Sequence, residues 1–171
     1  CALPIFRWAP QARVEWAEVA LTPVAPPSPR LVRLAAAHFV PRNTQTPDER
    51  RKAFVPLITE AARQRVTLLV LPEVLTYGGG QTYAECGEPV PGPSTEFFGQ
   101  LAREHRLHLV PGLIERDGHL LYNVAVLLGP DGKILGKYRK VCLPRGEIEG
   151  GLQPGHEYPV FDTAFGKVGM M

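Results

Sequence analysis

The feature that most constrains the fold is a run of mainly β-branched and leucine side chains at residues 66–71, which Pro72 ends. A continuous run of this kind favours a strand buried on both faces of a sheet, because a half-exposed strand alternates apolar and polar side chains. Strand and helix patterns alternate along residues 31–171, which predicts an α/β fold. We predict strands at residues 31–39, 66–71, 108–114, 122–128 and 133–140 and helices at residues 46–65 and 93–105.

Two turn sequences predict antiparallel hairpins. The segment 129–132, Gly-Pro-Asp-Gly, joins the strands at residues 122–128 and 133–140, and its Asp-Gly pair supplies the positive φ that a tight turn needs. A second and shorter hairpin is predicted over residues 161–171, with Gly166 and Lys167 at its turn.

The N-terminal part of the chain has a different pattern. Residues 13–21 alternate polar and apolar side chains, which predicts a strand with one buried face. Residues 22–30 contain four prolines, which favour an extended linker. We therefore expect residues 1–21 to end an upstream β domain, residues 22–30 to be a proline-rich linker, and residues 31–171 to be a second domain. Residues 1–5 match one translation frame of a common sequencing adapter, so we expect them to be non-native.

Charge and composition exclude some classes of partner. With 19 basic and 17 acidic residues the formal net charge is +2, which argues against nucleic acid or an anionic membrane and favours a small molecule. No apolar stretch approaches the roughly 20 residues of a membrane-spanning helix. The basic cluster at residues 50–52 is predicted to be a solvent-exposed helix face, because no aromatic residues are interleaved with it.

The three cysteines lack the spacing of a zinc site or a disulfide framework. The compartment, cytoplasmic or exported, therefore stays open, although an upstream β domain would favour export.

Two charged residues lie at strand ends, where α/β sheets place their binding sites. Glu73 directly follows the buried run, although taken alone it is explained more simply as a helix cap or a surface ion-pair partner. Lys140 ends the second hairpin strand among largely apolar neighbours, so its ammonium group can face a cleft, and a solvent-facing lysine is the alternative. The period of two places Lys140 on the opposite face from Lys137 and Arg139.

Several motifs in order along the chain resemble the nitrilase superfamily of carbon-nitrogen hydrolases. The motifs are Leu-Pro-Glu at residues 71–73, Tyr-Asn at 122–123, Gly-Lys-Tyr-Arg-Lys at 136–140, Pro-Gly at 154–155 and Phe-Gly-Lys-Val-Gly-Met-Met at 165–171. The resemblance covers residues 31–171. It implies an αββα sandwich of the nitrilase type, of which these residues form the first half and which is therefore incomplete at its C-terminus.

The resemblance also implies a Glu-Lys-Cys triad. Glu73 matches the general base, Lys140 matches the lysine that stabilises the tetrahedral intermediate, and the nucleophilic cysteine is implied to follow Met171. The 171 residues by themselves should therefore be inactive. Glu149 matches an additional glutamate that positions the substrate, and Glu147 is a rival for that role.

The reaction implied is hydrolysis of a linear amide or N-carbamoyl compound, less favourably a nitrile, through a thioester. The resemblance implies no metal or organic cofactor, and it implies a homo-oligomer when the protein is full length. Two alternatives stay open: the same triad can transfer the acyl group to an amine or lipid, and a domain without its nucleophile can serve as a binding or scaffold domain.

Cys142 departs from the family pattern, which commonly has histidine at this position after the lysine. We expect a buried and inert thiol here rather than the nucleophile, because two residues along a strand place its side chain about 7 Å from that of Lys140 on the same face.

Overall fold

Strands and helices alternate along residues 31–171, which form one compact unit. The computed structural model describes residues 17, 20, 22–26, 28, 31–78 and 80–171. The strands in these residues are β1 (Leu34–Ala36), β2 (Leu68–Val70), β3 (His108–Val110), β4 (Gly112–Asp117), β5 (Leu120–Leu128), β6 (Ile134–Arg139), β7 (Val160–Thr163) and β8 (Gly166–Gly169). The helices are α1 (Pro47–Ala53), α2 (Val55–Arg63), α3 (Tyr83–Cys86), α4 (Pro93–His105) and α5 (Arg145–Glu149).

The predicted upstream domain cannot be compared with the structure. Its strand at residues 13–21 lies outside the described residues apart from 17 and 20, so it stays a prediction. The described part of the predicted linker, residues 22–26 and 28, is exposed and has no regular structure. None of the helices that the structure describes has the length and apolar character that crossing a membrane requires.

A six-stranded mixed sheet organises the domain. Strands β1, β2 and β3 are parallel, whereas β5 pairs antiparallel with β3, β4 and β6. The strand predicted at residues 108–114 is divided into β3 and β4 because Pro111 has no N–H to donate. The pairing with β5 nevertheless keeps one register, since the Pro111 carbonyl oxygen accepts the N–H of Val126 at 3.1 Å.

The first predicted helix forms as two helices. At its start, the Thr46 side chain accepts the N–H of Glu49 at 3.2 Å and the Glu49 carboxylate accepts the N–H of Thr46 at 3.2 Å, which completes a capping box. The helix breaks at Phe54, because Pro56 cannot donate a hydrogen bond to the carbonyl oxygen of Lys52. The second predicted helix, α4, has the predicted bounds.

The two faces of the sheet are covered unequally. Helices α2 and α4 pack on one face around the fully buried side chains of Ile58 and Phe98. The hairpin of β7 and β8 contacts the other face through Phe161 and Val168. This cover is partial, so Val70 is 39% exposed, and the prediction that the β2 strand is buried on both faces was wrong at this residue.

Two further expectations need correction. The turn of the second hairpin lies at Ala164 and Phe165, because Thr163 pairs with Gly166, which belongs to β8. The basic cluster at residues 50–52 is not exposed throughout: Lys52 is exposed as predicted, but Arg50 is buried and donates to acceptors in the loop that follows Glu73.

A buried carboxylate connects β4 to β6. The Glu115 side chain is 3% exposed and accepts hydrogen bonds from Lys137 and, at 2.7 Å, from Arg139. Arg139 also pairs with Asp117 at 2.7 Å and lies 3.9 Å from the ring centroid of Tyr122. Burial alone would raise the pKa of Glu115, but the bonds from Arg139 and Lys137 outweigh it and hold the pKa below the ordinary 4.5.

We predict that Glu115→Gln lowers the free energy of unfolding by about 3 kcal/mol at neutral pH, because two cations lose their buried partner. A lowered folded-state pKa means that this stabilisation is present above about pH 4.5 and is lost as the pH falls through the folded-state value. The difference between wild type and variant in urea unfolding should therefore shrink on acidification. Asp162→Asn, which removes the exposed partner of Lys167, is the matched control and should change little. An equal loss in both variants would contradict the prediction.

Candidate active site

Four polar side chains from separate elements lie next to one another where β2 and β6 end. Glu73 follows β2, Asn123 lies in β5, Lys140 follows β6 and Glu147 lies in α5. The Lys140 ammonium group donates to Glu147 Oε1 at 2.8 Å and to Glu73 Oε2 at 3.1 Å. The structure therefore brings together the two residues that the sequence placed 67 positions apart, and it adds two others.

The start of β4 fixes the backbone on both sides of Glu73. The N–H of Gly112 donates to the Pro72 carbonyl oxygen at 3.2 Å, and the Gly112 carbonyl oxygen accepts the N–H of Leu75 at 2.9 Å. The two segments lie so close that a Cβ atom on Gly112 would be 2.7 Å from the Pro72 oxygen and would press against the Cα of Glu73. Glycine is thus required at this position by close approach of the two backbones.

The backbone of Lys140 is also held on both sides. Its N–H donates to the Asn123 carbonyl oxygen at 2.8 Å, and its carbonyl oxygen accepts the N–H of Gly155 at 2.9 Å. Burial by itself would lower the pKa of Lys140, but the hydrogen bonds to Glu147 and Glu73 outweigh burial, so the pKa is raised above its ordinary 10.5. Lys140 is therefore a cation throughout the physiological pH range.

Glu147, rather than the predicted Glu149, reaches Lys140. The two glutamates lie two residues apart in α5, and a helical turn of 3.6 residues directs such side chains to nearly opposite sides. Glu147 is 8% exposed, whereas Glu149 is on the solvent side and pairs with Arg145 at 2.7 Å. The structure does not bring Glu149 into the site.

Asn123 is also a member of the site, although no role could be assigned to it from the sequence. Its side-chain amide donates to Glu147 Oε1 at 3.2 Å and to Glu73 Oε2 at 3.3 Å. The signal available in the sequence was the Tyr-Asn pair in a strand predicted to lie beside that of Lys140, where alternation puts every second side chain on one face.

An open cleft of about 560 Å³ extends from Glu73 and Lys140 along the partly covered face of the sheet to Val70 and Met170. Cys142 also lines this cleft and is exposed, so the expectation of a buried thiol was wrong. The reason is that β6 ends at Arg139, which leaves Cys142 beyond the strand. Across the described residues, no three His, Cys, Asp or Glu side chains are grouped as a metal ion would require.

We predict that Gly112→Ala lowers the free energy of unfolding by about 1–3 kcal/mol, because the added methyl group has to displace the backbone at Glu73. Gly146→Ala is the matched control, since a Cβ atom there has no neighbour within 4 Å. Urea unfolding of both variants beside the wild type measures the difference. Equal stability of the Gly112 variant and the wild type would show that the backbone at Glu73 is not tightly held.

The chain is similar to known proteins over most of its length. The chain matches the model of the carbon-nitrogen hydrolase family over residues 33–171. It is 40% identical to omega-amidase NIT2-A of Xenopus laevis over 124 residues, which are 67% of this chain and 45% of that protein. It is 33% identical to beta-ureidopropionase of Arabidopsis thaliana over 159 residues, which are 82% of this chain and 39% of that protein. The chain thus spans less than half the length of these two relatives.

A solved structure confirms the predicted fold class. The carbon-nitrogen hydrolase from Helicobacter pylori G27 superimposes with a TM-score of 0.66 and 25% sequence identity, over 82% of this chain and 50% of that one. The mixed sheet with helices on one face is therefore an α/β fold of the nitrilase type. The chain belongs to the carbon-nitrogen hydrolase family of the nitrilase superfamily, as its motifs predicted.

Proposed function

We propose that the protein containing this chain hydrolyses linear amides or N-carbamoyl compounds, and nitriles less readily, through a thioester intermediate. The observation that carries this proposal is the Lys140 ammonium group held between Glu73 and Glu147 at 3.1 and 2.8 Å in a member of the carbon-nitrogen hydrolase family. The two relatives named as an amidase and a ureidopropionase support amide and carbamoyl substrates.

Glu73 is the general base in this proposal. Its carboxylate is 66% exposed and faces the cleft, so a reacting group can reach it. It accepts the proton of a thiol, the thiolate attacks the substrate carbonyl carbon, and Glu73 then returns the proton to the nitrogen as the carbon–nitrogen bond breaks. Water, deprotonated by the same carboxylate, then attacks the thioester carbon; the carbon–sulfur bond breaks, the acid leaves, and Glu73 returns the proton to the thiolate.

Lys140 supplies positive charge where the oxyanion develops. Because the pKa of Lys140 is raised above 10.5, it donates hydrogen bonds and does not act as a base near neutral pH. Glu147 is the more buried of its two partners, with a side chain only 10% exposed, and serves to keep the ammonium group charged and in place.

The thiol itself is implied by the family resemblance to follow Met171, so the 171 residues alone should not turn over substrate. Cys142 lines the cleft, but among the described residues its sulfur is not a hydrogen-bond partner of Glu73 or Lys140. A base and its nucleophile need that contact. Cys142 is therefore not the nucleophile in this proposal.

The proposal is tested by expressing the complete open reading frame and measuring ammonia release from a panel of amides and N-carbamoyl compounds. Glu73→Gln and Lys140→Met should each lower kcat/KM by about 10²-fold or more, because each removes a group that acts in the transition state. Turnover abolished by Cys142→Ser would make Cys142 the nucleophile. Absence of turnover with every compound would favour a binding domain, and acyl transfer to an added amine without hydrolysis would favour an acyltransferase.

A further prediction distinguishes the roles of Glu147 and Glu149, the two glutamates of α5. Glu147→Gln should lower kcat and move the alkaline limb of the kcat–pH profile to lower pH, because the pKa of Lys140 falls when a carboxylate partner is removed. Glu149→Gln, whose side chain pairs with Arg145 on the solvent side, should leave the profile unchanged. A shift in the Glu149 variant alone would restore the assignment made from the sequence.

A further inference from the structure

One residue, Asn123, contacts every other member of the site. Its side-chain nitrogen donates to Glu73 Oε2 at 3.3 Å and to Glu147 Oε1 at 3.2 Å. Its backbone carbonyl oxygen accepts the backbone N–H of Lys140 at 2.8 Å. An asparagine amide nitrogen carries two hydrogens, so one can be directed to each carboxylate. Asn123 is 4% exposed, so water has little access with which to replace these bonds.

The charges of the site make such a bridge necessary. Glu73 and Glu147 bring two negative charges to one ammonium group, so the two carboxylates repel each other. Glu73 is 66% exposed and can lower this repulsion by turning into solvent. A neutral donor shared by both carboxylates holds them together without adding a charge that would alter the balance on Lys140.

The strand around Asn123 is rigid enough for this task. β5 is an inner strand, with Ile114 of β4 opposite Asn123 on one side and Arg139 of β6 opposite Val124 on the other. Since both neighbouring strands fix the backbone, the amide cannot follow a carboxylate that moves away.

We propose that Asn123 is a positioning residue that sets the separation of Glu73 and Glu147 and so keeps both carboxylates on Lys140, an inference that rests on the proposed function. It acts through the two carboxylates and not by touching the substrate. Its loss should therefore reduce kcat far more than it changes KM.

The test uses the full-length enzyme with Asn123→Asp and Asn123→Leu, which both keep the branched arrangement of non-hydrogen atoms in the asparagine side chain. Both variants should lower kcat at neutral pH by about 10-fold or more, by loss of pre-organised geometry. In Asn123→Asp, activity relative to wild type should rise as the pH falls, because a protonated aspartic acid regains one O–H donor. In Asn123→Leu the ratio should not depend on pH. Asn43→Asp changes the other asparagine of the sequence, which is exposed, and controls for the added charge.

Wild-type kcat in Asn123→Leu, or the same pH dependence in the aspartate and leucine variants, would overturn the inference. If the wild-type protein turns over no compound, the proposed function fails, and Asn123 is then judged by crystal structures of wild type and Asn123→Leu. Loss of the contact between Glu73 and Lys140 in the variant would support the positioning role. Persistence of both carboxylate contacts to Lys140 would refute it.

Discussion

The side chain of Lys140 is only one-quarter exposed, and its positive charge needs negatively charged partners, which come from two separate parts of the chain. One carboxylate comes from 67 residues upstream at the end of β2, and the other comes from the helical turn seven residues downstream. A partly buried cation without these partners is unfavourable, whereas two carboxylates without the cation repel each other. The order of the strands in the sheet places the end of β2, Asn123 of β5 and the end of β6 next to one another. This order therefore also keeps the charges of the site paired.

Strands β5 and β6 carry a second charge cluster on the opposite face of the sheet. The backbone couples this cluster to the site at Lys140. Period-two alternation directs Asn123 and Lys140 to the cleft, while Tyr122 and Arg139 point to the other side. Arg139 lies on the Tyr122 ring and is paired with buried Glu115, which fixes the last residue of β6. Because Lys140 comes next in the chain, the cluster on the far face limits where its ammonium group can go.

Features that depend on local chemistry could be predicted from the sequence, and features that depend on distant contacts could not. The α4 bounds and the β5–β6 hairpin follow from turn residues and apolar periodicity within a few positions. Burial of Arg50 depends on acceptors 26 and 31 residues away, which no local pattern encodes. The choice between Glu147 and Glu149 depends on a helix of five residues, too short for its periodicity to be recognised. The family motifs located Glu73 and Lys140, but only the folded chain shows that Asn123 joins them.

The unequal burial of the two carboxylates explains how two similar side chains can serve one lysine in different ways. Glu147 Oε1 is shared by Lys140 and Asn123, while its Oε2 is buried without a hydrogen-bond partner among the described residues, so solvent has little access to it. Glu73 keeps most of its surface in the cleft and uses one oxygen for both of its contacts. In the proposed mechanism, Glu73 transfers the proton while the ion pair between Glu147 and Lys140 stays intact. One carboxylate thus transfers the proton in this mechanism, and the other maintains the positive charge of Lys140. A single carboxylate could not do both at once.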